Sequence, residues 1–142
     1  MSKFAAFMKQ NKKIKENTHF AATKSLCDEN GNPLEWEIRP LTSKENERIR
    51  QDNTQEVPTG KPGLFRQKVN TTGYIRDMVV ASIVSPDLND AELQDSYGVK
   101  KPGELLLAMV DAPGEYNGLV EFIQKFNGFN ISFEDKVETA KN

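Results

Sequence analysis

The sequence predicts an α+β fold, with a small N-terminal antiparallel sheet (a hairpin plus a candidate third strand) packed on a cluster of short helices. Three observations carry this. Leu34, Trp36 and Ile38 alternate with Glu35, Glu37 and Arg39 just after the turn-forming run Asp28-Glu29-Asn30-Gly31-Asn32-Pro33, which is the period-two pattern of a half-buried strand. Eight of the eleven positions from Tyr74 to Val84 are apolar, too many for one narrow stripe, so this segment reads as a central helix with neighbours on most sides. Beyond it, Pro86, Gly98, Pro102, Pro113 and Gly128 cut the chain into pieces of helical length.

The elements follow in order. Ser2 is placed to cap a short first helix with Phe4, Phe7 and Met8 on one side and lysines on the other, so residues 1–17 are set apart as an amphipathic arm and 18–142 as a single α+β domain. Residues 18–26 and 34–41 form the hairpin, with Phe20, Ala22 and Leu26 on its inner face. Thr42 followed by Glu45 is a capping box opening a helix to about Thr54, and its one aliphatic residue, Ile49, consigns that helix to the surface. Residues 57–63 (VPTGKPG) read as a loop, and Phe65, Gln67 and Val69 as one face of the candidate third strand. Asn89, with Glu92 three residues on, caps a helix stopped by Gly98. Pro102 and Pro113 open two more, the second with Tyr116, Leu119, Val120, Ile123 and Phe126 on one stripe and Phe122 outside it. Ser132 opens a last one that stacks Phe133 and Val137.

A chain of 142 residues buries roughly 68–70% of its unfolded surface without disulfides or metals. The net charge is −2, but residues 1–15 hold five lysines and no acid, leaving about −7 on the rest. That balance argues against a phosphate-contacting nucleic-acid binder. The single Cys27 has no internal partner and suits a reducing compartment. The apolar run Phe4 to Met8 is too short for a signal peptide or a membrane span.

Residue chemistry points to no catalytic, cofactor-binding or metal site. His19 is the only histidine, so one chain lacks the parts of a triad, a Cys–His pair or the common zinc sets. Two segments imitate calcium loops and fail: counted from Asp28, Pro33 stands in the glycine position and Arg39 in the bidentate glutamate position. Counted from Asp87, the twelfth residue is Gly98. Thr59-Gly60-Lys61 has Gln55 where a phosphate-binding loop needs its first glycine and Pro62 where it needs Ser or Thr. The acids Asp87, Asp90, Glu92 and Asp95 fit helix caps and dipole partners.

Residues 28–50 (DENGNPLEWEIRPLTSKENERIR), 74–99 (YIRDMVVASIVSPDLNDAELQDSYGV) and 113–129 (PGEYNGLVEFIQKFNGF), together with FMKQN near the start and FEDKVETAKN at the end, resemble the XkdN-like family of phage tail assembly chaperones. The likeness covers nearly the whole chain, is most distinctive at LNDAELQDSYGV and is interrupted at KKPG, residues 100–103. The resemblance implies a non-catalytic protein of a phage or prophage, encoded just upstream of the tail tape-measure protein. Such a protein binds the tape-measure chain in the cytoplasm of the bacterial host, keeps it soluble during assembly and is absent from the mature particle. The tail tube protein and further copies of the chain are additional partners to consider, with no nucleic acid, membrane or cofactor. The rival expectation is a structural tail or head–tail adaptor retained in the particle. A client with exposed apolar stripes calls for apolar contacts on the binder. The candidates are Phe4, Phe7 and Met8 on the arm and Phe122, Phe126, Phe129 and Phe133 near the C-terminus, the latter group serving either as a contact patch or as a lid on the core.

Overall fold

Strand β1 (Thr18–Phe20) pairs antiparallel with β2 (Trp36–Ile38) in the computed structural model, which describes residues 2–129. Phe20 opposes Trp36 and Thr18 opposes Ile38, so these four face the same way, while His19 and Glu37 face the other. The connecting turn closes as its composition requires. One carboxylate oxygen of Asp28 accepts from the backbone N–H groups of Asn30 (2.8 Å) and Asn32 (2.9 Å), and Gly31 takes a positive φ of 82°.

Thr42 caps α1 (Ser43–Asp52) through the expected box, its hydroxyl accepting from the Glu45 N–H at 3.1 Å and its own N–H donating to the Glu45 carboxylate at 3.1 Å. This helix buries no residue. Next come β3 (Thr54–Pro58) and β4 (Phe65–Val69), an antiparallel hairpin that forms a sheet of its own. Residues 65–69 are thus a strand, as expected, but they do not join the main sheet, and Val57 and Pro58 belong to a strand where the sequence suggests a loop.

The main sheet's third strand is β5 (Ile83–Ser85), which follows α2 (Thr71–Ser82) without a loop and adds antiparallel to the other edge of β2, giving the order β1-β2-β5. The central apolar run is therefore helix only as far as Ser82. Pro86 disfavours helical geometry at Ser85, Ile83 and Val84 are β-branched, and β2 offers an open edge that the departing chain satisfies, beginning with the Arg39 N–H on the Ser82 carbonyl at 2.8 Å.

Three helices close the other side. The cap of α3 (Ala91–Ser96) is Asp90, which accepts from the Glu92 N–H at 3.0 Å, one residue beyond the expected Asn89, while Gly98 ends the segment at φ 68°. Helix α4 (Pro102–Met109) starts within the KKPG interruption and α5 (Pro113–Phe126) starts at its proline, as expected. Trp36 and Ile38 from the sheet, Val79 from α2, Leu105 and Leu106 from α4, and Leu119 and Ile123 from α5 are all but sealed from solvent. Each such side chain contributes about 1.5–3 kcal/mol on burial. Phe122, expected outside the stripe, packs against this core. The helix expected from Ser132 lies outside the described residues.

Candidate interaction surfaces

The arm is not a continuous helix. Residues Ala5–Phe7 and Lys9–Asn11 form two single 3-10 turns, the first begun by the Phe4 N–H donating to the Ser2 hydroxyl at 3.3 Å, and the Asn11 side-chain amide donates back to the Ala5 carbonyl at 2.7 Å. These two bonds stay within the first eleven residues, and the apolar side chains there are left exposed. Phe4 and Phe7 meet edge to face with centroids 6.1 Å apart, Phe7 is 84% exposed, and Met8 is exposed beside them. Ile14, 89% exposed, continues the apolar surface. Lys15 ties the arm's end to the domain. Its ammonium lies 4.3 Å from the centroid of the Phe126 ring and donates to the Phe126 carbonyl at the C-terminal end of α5.

The C-terminal aromatics divide into two environments. Phe122 stacks on Phe20 with centroids 4.3 Å apart and an interplanar angle of 21°, and lies near-parallel to Phe126 at 6.3 Å. Both are half-buried against the core. Phe129 is exposed. With Leu41, Thr42, Ser43, Asn46 and Asn127 it lines a shallow cleft of about 90 Å³, well below the roughly 300–1,000 Å³ of typical small-molecule sites. Phe133 lies outside the described residues. The arm residues and the exposed Phe129 are thus presented to solvent, whereas Phe122 and Phe126 are joined in one aromatic stack.

The hairpin β3–β4 carries residues that sequence reasoning missed. Leu64 and Phe65, 55% and 60% exposed, sit at its far end, and only Thr54, Val57 and Val69 along its strands are half-buried. Their signal in the sequence is faint: two apolar residues directly after a Gly–Lys–Pro–Gly turn.

The perturbed ionisable groups are engaged in holding elements together. Arg39 at the end of β2 grips Glu45 of α1 with both terminal guanidinium nitrogens, at 3.1 and 2.6 Å, and Glu45 is also bound into the Thr42 cap. The hydrogen bond from Arg39 leads the effects that lower the Glu45 carboxyl from 4.5 to about 2. Glu115 in the first turn of α5 accepts from the Lys24 N–H and from the hydroxyl of buried Thr23, each at 2.8 Å, and these bonds hold its carboxyl below the usual range. Burial pushes the Tyr116 phenol up, with Arg76 opposing. Asn127 joins the ends of β2 and α5, its side-chain oxygen accepting from the Leu41 N–H at 2.7 Å while its amide donates to the Ile123 carbonyl at 2.9 Å. Among the described residues no cluster of three or more His, Cys, Asp or Glu side chains is arranged to hold a metal ion, and no helix is long and apolar enough to cross a membrane.

The sequence pattern of the phage XkdN-like tail assembly chaperone protein family matches residues 4–141. The chain is 25% identical over 120 residues to the phage-like element PBSX protein XkdN of Bacillus subtilis (strain 168), covering 84% of this chain and 80% of that one. It is 24% identical over 127 residues to the uncharacterised protein YqbN of the same organism, covering 89% and 85%. The crystal structure of YqbN shares the fold, with a TM-score of 0.74 at 18% identity over 92% of this chain and 99% of the other.

Proposed function

The chain belongs to the XkdN-like phage tail assembly chaperones, and from that premise we propose that its client is the tail tape-measure protein, which it keeps soluble in the host cytoplasm during assembly and leaves before the particle is finished. No covalent step is involved. The observation that carries the reading is the state of the arm, where Phe4, Phe7 and Met8 are exposed beside lysines instead of being folded into the core. A long helical client with an apolar stripe is covered by surfaces of this kind. Lysines around the apolar residues keep the uncovered arm hydrated and draw it to acidic positions on the client. Each contact is small, so many copies along one client supply the total strength while any single copy remains displaceable.

Co-expression with the tape-measure protein of the same phage element tests this. The expected result is that the client stays in the supernatant and co-purifies with the chain, and that the triple variant Phe4→Ser, Phe7→Ser, Met8→Ser loses most of that retention while keeping its melting temperature. A client equally soluble without the chain, or a chain abundant in purified particles, would overturn the proposal.

A further inference from the structure

The hairpin β3–β4 is an arm rooted at one end. At its base the Asn70 N–H donates to the Asn53 carbonyl at 2.7 Å, the Asn53 side-chain amide donates to Asp77 of α2 at 2.9 Å, and Asn70 caps α2 by accepting from the Gly73 N–H at 3.1 Å. From there five paired positions carry the strands outward, roughly 17 Å at 3.4 Å per residue. An isolated two-stranded hairpin has marginal stability in water, and this one ends in exposed Leu64 and Phe65. The pairing register puts Val57 opposite Arg66 and Gln55 opposite Lys68, so one face of the ribbon is basic. With Lys61 in the turn, the segment 54–69 holds three bases against the single acid Glu56 in a chain whose net charge is negative. Among the described residues no carboxylate pairs with any of these three bases.

The complementary surface is on the same molecule. Residues 87–95 carry four exposed acids and no base, and none of the four is paired with a cation among the described residues. Exposed Val84 and Tyr97 flank this run in the sequence, offering apolar contact beside the charge. We propose that the β3–β4 hairpin of one copy docks on the acidic 87–95 segment of a second copy, with the face that carries Arg66 and Lys68 against the acids. The contact joins two different patches, so each copy still presents a free hairpin at one end and a free acidic segment at the other, and association runs head to tail into chains or closed rings. This stands apart from the client proposal, since it concerns a different element and a different partner.

Sedimentation velocity on the full chain over a range of protein and salt concentrations tests the inference. The expected result is a weight-average mass that rises above the 16.0 kDa monomer with concentration and falls back as salt screens the charges. Reversing the hairpin (Lys61→Glu, Arg66→Glu, Lys68→Glu) weakens association by roughly tenfold or more. Reversing the other side (Asp87→Lys, Asp90→Lys, Asp95→Lys) does the same. Mixing the two variants restores it, because every hairpin in the mixture then has an oppositely charged segment to meet. A chain that stays monomeric throughout, association untouched by either reversal, or folded variants that do not rescue one another would overturn the proposal. So would a hairpin reversal that abolishes only client retention, which would make the client the occupant.

Discussion

Replacing Glu45 by glutamine isolates one charge. Gln retains an acceptor for the Thr42 N–H, so the capping geometry survives, but the bidentate ion pair with Arg39 is lost. The fall of the Glu45 carboxyl from 4.5 to about 2 would correspond to roughly 3.4 kcal/mol at 1.36 kcal/mol per unit. The two side chains are, however, 35% and 37% exposed, and solvent screening reduces such a pair to about 1 kcal/mol. For a domain of this length that is about 3–5 °C in melting temperature. The sign with pH follows from the direction of the shift. The folded-state value lies below the unfolded one, so the stabilisation is fully present above about 4.5 and is lost as pH falls towards about 2. Denaturant titrations from neutral pH downward should therefore show the gap between the native chain and Glu45→Gln closing through that window. Arg39→Ala should remove the same increment, and the double variant little more. A gap independent of pH, or losses that simply add, would refute the assignment of this pair as the link between β2 and α1.

Two further outcomes are expected. Leu119→Ala, at a position with no exposure, should cost about 2–5 kcal/mol in chemical denaturation, since the sealed site collapses poorly around the missing atoms. Gly73→Ala should destabilise although alanine is the better helix former by about 1 kcal/mol. A Cβ there would stand 2.5 Å from Asn53 Oδ1 and 2.9 Å from Asn70 Nδ2, forcing apart the side chains that root the hairpin. NMR of the variant should show shifts concentrated in residues 53–73, and a rise in melting temperature would contradict the packing.

What was legible in the sequence is what single residues determine through their own backbone chemistry. Thr42 with Glu45, Pro102, Pro113, Gly98 and Gly128 mark helix ends because capping oxygens, a fixed φ and a left-handed φ act locally. The features hidden from it depend on partners distant in the chain. Ile83 and Val84 continue an apolar run, and periodicity alone does not separate the last turn of a buried helix from a short buried strand. The open edge of β2 decides the matter. Strand β3 is Thr-Gln-Glu-Val-Pro, polar on both faces, so there is no alternation to detect. On the candidate surface, the mixture of phenylalanine and lysine in the arm could be read directly. That Phe122 and Phe126 share a stack with Phe20 could not, because it depends on how α5 crosses β1.

The main sheet borrows its last strand from residues 83–85, and the strap from Asn127 to Leu41 joins residues 86 positions apart in the chain. On a ribosome, therefore, Trp36 and Ile38 emerge long before Leu119 and Ile123 are available to cover them. Until α5 clears the exit tunnel, the nascent chain must carry an unfinished core whose completing contacts are far apart in sequence. The molecule would then face, during its own synthesis, the hazard of uncovered apolar surface that it is proposed to relieve in its client.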